Sequence, residues 1–262
     1  MTIALEARGL SRTFSGFRAV HGVDLSVREG SVHALIGPNG AGKTTCFNLL
    51  TRFIDVTAGR IAFQGRDITG LAADAVARLG LVRSFQISAV FQQLSVLENV
   101  RLAVQRRRGQ SFDWWRSDRV LAVHDERARE LLEEAGLSPW ANHIAGELPY
   151  GRKRALELAT TLALEPKMLL LDEPMAGMGA EDIAQATRLI RHAAQGRTIL
   201  MVEHNLSVVA DLCDRITVLA RGEVLAENDY ASLSRDERVI EAYLGHGGTS
   251  QPELPAQAVA HG

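Results

Sequence analysis

A run of eight residues, Gly37-Pro38-Asn39-Gly40-Ala41-Gly42-Lys43-Thr44, constrains this chain most, because it demands a strand, a loop and a helix in fixed order. It fits the spacing G-x-x-x-x-G-K-[ST]. It lies between a compact apolar run, Val32 to Ile36, and a segment of helical character, Thr44 to Leu50. Polyphosphate needs many donors at close range. Glycines let the backbone curl so that successive N–H groups point inward, and the following helix adds its N-terminal amides and dipole. Lys43 suits the charge of the β- and γ-phosphates, and the Thr44 hydroxyl suits Mg²⁺. The expected ligand is therefore ATP with Mg²⁺, held by residues 37–45, Thr45 included.

The rest of the chain reads as α/β. Val23, Leu25 and Val27 alternate with polar residues before a turn at Glu29-Gly30, and residues 59–63 form a further strand with Gly65 as its turn. Ser95 and Glu98 have the spacing of a capping box, opening a helix through Val104 to the Arg106-Arg107-Arg108 run. Residues 110–120 hold Trp114 and Trp115 in a polar setting, read as packing of the helical part ahead of partner contacts, and residues 125–135 are helical up to Gly136. Alternation returns with strands at 168–171, 198–202 and 216–219, helices at 183–194 and 206–213, and a hairpin turn at Arg221-Gly222. The organisation expected is one domain over residues 1–246, with a helical insert at about 87–160, and a flexible Gly/Pro/Ala-rich tail over 247–262.

A length of 262 residues is enough for one large α/β domain, and a net charge of −2 argues against nucleic acid as partner. Cys46 and Cys213 are too far apart for a CxxC site and imply a reducing compartment. No signal peptide and no run of about 18 apolar residues is seen, so a membrane role must pass through a partner. A second acidic site is visible at Leu169-Leu170-Leu171-Asp172-Glu173, two carboxylates ending a buried strand, where parallel α/β sheets bind ligands. Asp172 suits Mg²⁺, directly or through water, and Glu173 suits polarising a water for attack on the γ-phosphate.

The ordered set of residues 37–45, Gln86, Leu148 to Arg152, Leu169 to Glu173 and His204 resembles the ATP-binding subunits of ABC transporters over about residues 3–245. The resemblance implies a P-loop NTPase core with an N-terminal antiparallel β subdomain and an inserted helical subdomain. It implies that Phe14, with Phe17 as a second candidate, stacks on adenine. Gln86 would touch Mg²⁺ and the attacking water and lead into the surface that docks on a membrane partner. His204 would contact the γ-phosphate and hold Glu173. Two ATPase subunits would pair head-to-tail, each ATP lying between one subunit's phosphate loop and the other's signature, with ATP closing the pair and hydrolysis reopening it.

The signature departs from the family's usual Leu-Ser-Gly-Gly-Gln. Here it is Leu148-Pro149-Tyr150-Gly151-Arg152. Gly151 keeps a close backbone approach to phosphate, Pro149 removes a hydroxyl and an N–H, and Arg152 replaces an amide by a charge. Lys153 and Arg154 extend a basic run read as a solvated helix face. Gly179 stands where an Asp or Asn would reach across the dimer. These departures suggest an asymmetric pair whose weak signature is this subunit's own.

Arg83-Ser84-Phe85-Gln86, Phe91, the run Leu94 to Val100 and the ending Val239 to Gly245 are similar to the branched-chain amino acid importer branch; the insert near 105–125 is similar to the longer of its two ATPase subunits. That resemblance implies a peripheral subunit on the cytoplasmic face of the cell membrane, with a second ATPase, permeases and, indirectly, a periplasmic solute-binding protein. The solutes implied are branched-chain amino acids, amides or urea. A lipopolysaccharide-type exporter ATPase shares the tyrosine-containing signature and the Ala-Gly-Met run. The altered signature also leaves open a weakly hydrolytic regulatory subunit. A soluble ABC protein of DNA repair or translation fits less well, because no heptad run or second ATPase domain is present.

Overall fold

The computed structural model describes residues 2–84, 90–107 and 118–244. They group into two compact units, one of the described residues within 2–71 and 200–244, the other of those within 72–199.

In the first unit, β1 (Ile3–Phe14) and β2 (Phe17–Arg28) form an antiparallel hairpin. β2 buries Val23, Leu25 and Val27 with the two-residue period of a half-buried strand, and Val20 is buried beyond a register shift in the β1 pairing. β3 (Val32–Ile36) is buried at every position, so its apolar run needs no polar face, and it feeds α1 (Lys43–Leu50) through the glycine loop. β4 (Ala58–Phe63) pairs with β1, and β5 (Arg66–Asp67) with β4, giving a four-stranded sheet in the order β2-β1-β4-β5. This is the antiparallel subdomain expected at the N-terminus.

The second unit opens with α2 (Ala73–Arg78) and β6 (Leu81–Arg83). Next comes α3 (Val96–Arg107), started by the capping box: Glu98 Oε2 accepts from Ser95 N–H at 2.8 Å, and Ser95 Oγ from Glu98 N–H at 3.2 Å. α4 (Asp118–Glu134) begins earlier than the expected Asp125. α5 (Tyr150–Ala163) completes the helical part, and Val96, Val100, Leu131, Leu132, Leu156 and Leu162 are almost wholly buried. Burial of each is worth about 1.5–3 kcal/mol. β7 (Met168–Asp172) runs parallel to β6, and α6 (Ala180–Ala194) follows.

β8 (Thr198–Val202) starts in the second unit, where Thr198 N–H donates to the Lys167 carbonyl at 3.3 Å, and Leu200 to Val202 belong to the first. There the chain adds α7 (Leu206–Leu212), β9 (Arg215–Ala220), β10 (Glu223–Asn228), α8 (Tyr230–Leu233) and α9 (Glu237–Leu244). β9 is parallel to β3 and antiparallel to β10, in the order β10-β9-β3-β8. The hairpin turn is at Arg221 (φ 53°) and Gly222 (φ 84°), two consecutive left-handed residues that match the strands' twist. Cys46 and Cys213 are both free thiols. Among the described residues no helix is long and apolar enough to cross a membrane. Gln86, Trp114, Trp115, Arg108 and the tail 247–262 lie outside the described residues.

Candidate functional site

The phosphate loop begins where β3 ends. Gly37 has φ 150°, and a Cβ there would lie 2.1 Å from the Leu219 carbonyl oxygen; a Cβ on Gly42 (φ 98°) would lie 2.5 Å from that of Ala19. Both glycines let the loop pass against β9 and β2. Gly40 (φ 78°) meets nothing within 4 Å of its missing side chain, so the loop's outer arc is open. Ala41 N–H donates to the Pro38 carbonyl at 3.2 Å, and Gly222 N–H to Ala41 at 3.0 Å, fixing the curl. Asn39 is exposed. Lys43 is buried, its Nζ donating to the Gly37 and Pro38 carbonyls at 2.7 and 3.0 Å. Thr44 is exposed and Thr45 half-buried on the first turn of α1, which carries no acid. An uncapped helix N-terminus beside an open glycine arc and an ammonium fits a polyphosphate.

Phe14, at the tip of the β1–β2 hairpin, is 40% exposed, with the Arg12 guanidinium 4.6 Å from its ring centroid; Phe17 is 69% exposed. His204 follows β8, the neighbour of β3, and its side chain is exposed. The buried Glu203 carboxylate accepts from the His204 and Asn205 N–H groups at 2.9 and 3.0 Å, and Asn205 Oδ1 caps α7. These bonds set the chain's path just past the strand.

In the second unit, Asp172 ends β7 half-buried and pairs with Arg83 at the end of β6. Glu173 has φ 48°, a left-handed backbone on a residue that precedes a proline. Such strain costs about 1–3 kcal/mol and gathers at functional positions. In the signature, Leu148 is buried, Pro149 is the N-cap of α5 and Tyr150 is 42% exposed. A Cβ on Gly151 would fall 2.2 Å from Asp182 Oδ2, so the carboxylate of α6 packs against this glycine. Tyr150 in turn lies beside Gly177 (φ 73°) of the loop after the acidic pair. Arg152 donates to Gln185 Oε1 at 2.5 Å and to the Gly136 carbonyl at 3.5 Å, inside its own unit. The reading of residues 152–154 as a solvated basic face fails at Arg154. That side chain is only 10% exposed, pairs with Glu157 at 3.0 Å and stands over the Tyr150 ring. Burial pushes the Glu157 carboxyl up, and the Arg154 contact pulls against it.

Comparison with known proteins adds the decisive observation. A family model described as ABC transporter matches residues 20–176. The chain belongs to the ABC transporter family. The ATPase is 38% identical to the high-affinity branched-chain amino acid transport ATP-binding protein BraF of Pseudomonas aeruginosa, over 92% of this chain and 97% of that one. It is 36% identical to LivG of Escherichia coli, again over 92% and 97%. Among solved structures, the ADP conformation of an ATP-binding cassette of an ABC transporter is similar at TM-score 0.80 and 30% identity, covering 94% of this chain and 100% of that one. A nucleotide-free cassette is similar at 0.77 and 29%, covering 92% and 98%. The protein is thus an ABC ATPase coupled to transport, and it binds nucleotide.

Three neighbours of the ABC ATPase's site residues were not singled out by sequence. Tyr243 of α9 hydrogen-bonds the Gly37 backbone, and burial pushes its phenol up to about 12. Arg83 was visible only as part of the run ending at Gln86. Asp182 was visible only as an acid in the first turn of α6. Gln86 itself lies outside the described residues.

Proposed function

We infer that this ATPase energises an importer of branched-chain amino acids or related small polar solutes. The observation that carries the reading is its 38% identity to BraF, spread over 92% of the chain. Residues 37–45 would hold the triphosphate, with Lys43 on the β- and γ-phosphates and Phe14 against adenine. Thr44, Gln86 and Asp172 would hold Mg²⁺, which when bound supplies charge neutralisation at the transferring phosphate. Glu173 would accept a proton from the attacking water, and His204 would contact the γ-phosphate. Water adds to the γ-phosphorus as the bond to the ADP oxygen breaks, releasing ADP and phosphate.

Closure would need a second ATPase subunit, each signature facing the other's phosphate loop. The permease partners would seat on the second unit. Its groove of about 380 Å³ is lined by apolar Phe91, Leu102 and Leu164 and by polar Arg83, Asn99 and Arg106, with Phe91 60% exposed, a mixed surface fit for a helix of a permease. A periplasmic solute-binding protein would act from the far side, and the subunit would sit peripherally on the cytoplasmic face. The helical insert at about 87–160 is the part that would carry the signature.

The seat of Asp182 on Gly151 favours a variant of this reading, in which the signature serves the partner's ATP poorly and the pair is asymmetric. The test is a reconstituted transporter with Glu173→Gln in this subunit or the equivalent change in its partner. Loss of turnover from the first and a smaller loss from the second is expected; equal losses would sink the asymmetry. Absence of branched-chain amino acid uptake by the wild-type assembly would sink the importer reading.

A further inference from the structure

β6 and β7 are parallel neighbours in the register Arg83 opposite Leu170, and Ser84 N–H donates to the Leu170 carbonyl at 2.9 Å. That register puts the last residue of β6 within side-chain reach of the last residue of β7. Arg83 Nη2 donates to Asp172 Oδ2, with the two side chains 14% and 12% exposed. An arginine is charged at every working pH and presents a rigid planar fork, so it sets the orientation of the neighbouring carboxylate. The contact engages Oδ2, leaving Oδ1 as the oxygen for a metal or its water.

We propose that Arg83 is the positioning residue for the metal-facing carboxylate Asp172, a proposal that rests on the reading of Asp172 as a Mg²⁺ ligand. In this role Arg83 acts through Asp172 rather than on nucleotide or metal itself. It prepares Asp172 before either arrives, as outer hydrogen-bond partners of metal ligands do. A lysine in its place would supply charge without the fork, so it should restore part of the effect.

The experiment is binding of a fluorescent ATP analogue to the full-length protein, titrated with Mg²⁺ and, in parallel, Mn²⁺ binding followed by electron paramagnetic resonance. With Arg83→Ala, the Mg²⁺ midpoint of nucleotide binding should rise about tenfold, while affinity in excess chelator stays within about twofold. Arg83→Lys should fall between. A merely structural arginine would lower the melting temperature and leave the Mg²⁺ midpoint unmoved, and that result overturns the proposal. So does a lower midpoint, which would mean that Arg83 competes with the metal. If Arg83→Ala does not fold, Arg83→Gln takes its place under the same two outcomes. Asp172→Asn separates the layers. If it leaves the Mg²⁺ midpoint unchanged, the metal-ligand reading fails. If it moves the midpoint and the Arg83 variants do not, only the proposal fails.

Discussion

A Cβ on Gly37 would stand 2.1 Å from the Leu219 carbonyl oxygen, a backbone atom of a central strand that cannot swing away. Gly37→Ala should therefore cost about 1–3 kcal/mol through forced backbone shifts and weaken nucleotide binding, read by thermal denaturation and ATP titration. Gly40→Ala differs, because it meets no atom and would cost only its left-handed backbone. The sequence pattern marks both glycines alike; the structure assigns them different tasks, one packing and one exposing. Glu173 repeats the lesson. Its chemistry was legible from two acids ending an apolar run, while its φ of 48° was not. Arg154 was misread because a basic run on a helix carries no sign of which member turns inward to an acid.

Strand β3 is joined to β9 and β10 by more than its ladder. His33 is buried, with Nε2 2.8 Å from Thr217 Oγ1, and Thr217 donates to Glu227 Oε2 at 3.0 Å while Arg215 holds Oε1 at 3.0 Å. Because the Thr217 proton goes to Glu227, His33 Nε2 carries the hydrogen in this chain of bonds. Burial pushes the His33 imidazole down from 6.5 to about 4; Arg215 and Arg28 add to the shift and Glu227 opposes it. A base depressed in the folded state protonates first in the unfolded chain. Its contribution is complete above pH 6.5 and is lost as pH falls from 6.5 toward 4. The loss is on the order of 3 kcal/mol. Denaturant melts at stepped pH should show this slope, and His33→Gln should flatten it. At this scale the strands and the capping box of α3 were readable because period and cap lie in neighbouring residues. The start of α4 at Asp118 was not, because no comparable cap or period marks it in the neighbouring residues.

The whole molecule is built to need company. The phosphate loop is complete within residues 37–45 and their buttresses, Gly222, Leu219 and Tyr243. The isolated chain should therefore bind ATP by itself, and adding the second ATPase subunit should tighten that binding, since a ligand that closes the pair binds the closed form better. Turnover per site should rise about tenfold or more, since positioning and electrostatic stabilisation of the transition state supply nearly all of phosphoryl transfer. Titration calorimetry and phosphate release on the same samples check both, and equal turnover with and without the partner would count against a shared site. The sequence by itself determined the cradle, the acidic strand end, the α/β alternation and the family, because each is carried by contiguous residues whose geometry is local. Only the tertiary structure decided that Arg83 holds Asp172, that Asp182 sits on Gly151, that Tyr243 braces Gly37 and that Arg154 turns inward. The first three join positions far apart in the chain, and burial, which no local pattern encodes, decides that the polar groups of Asp172 and Arg154 find their partners.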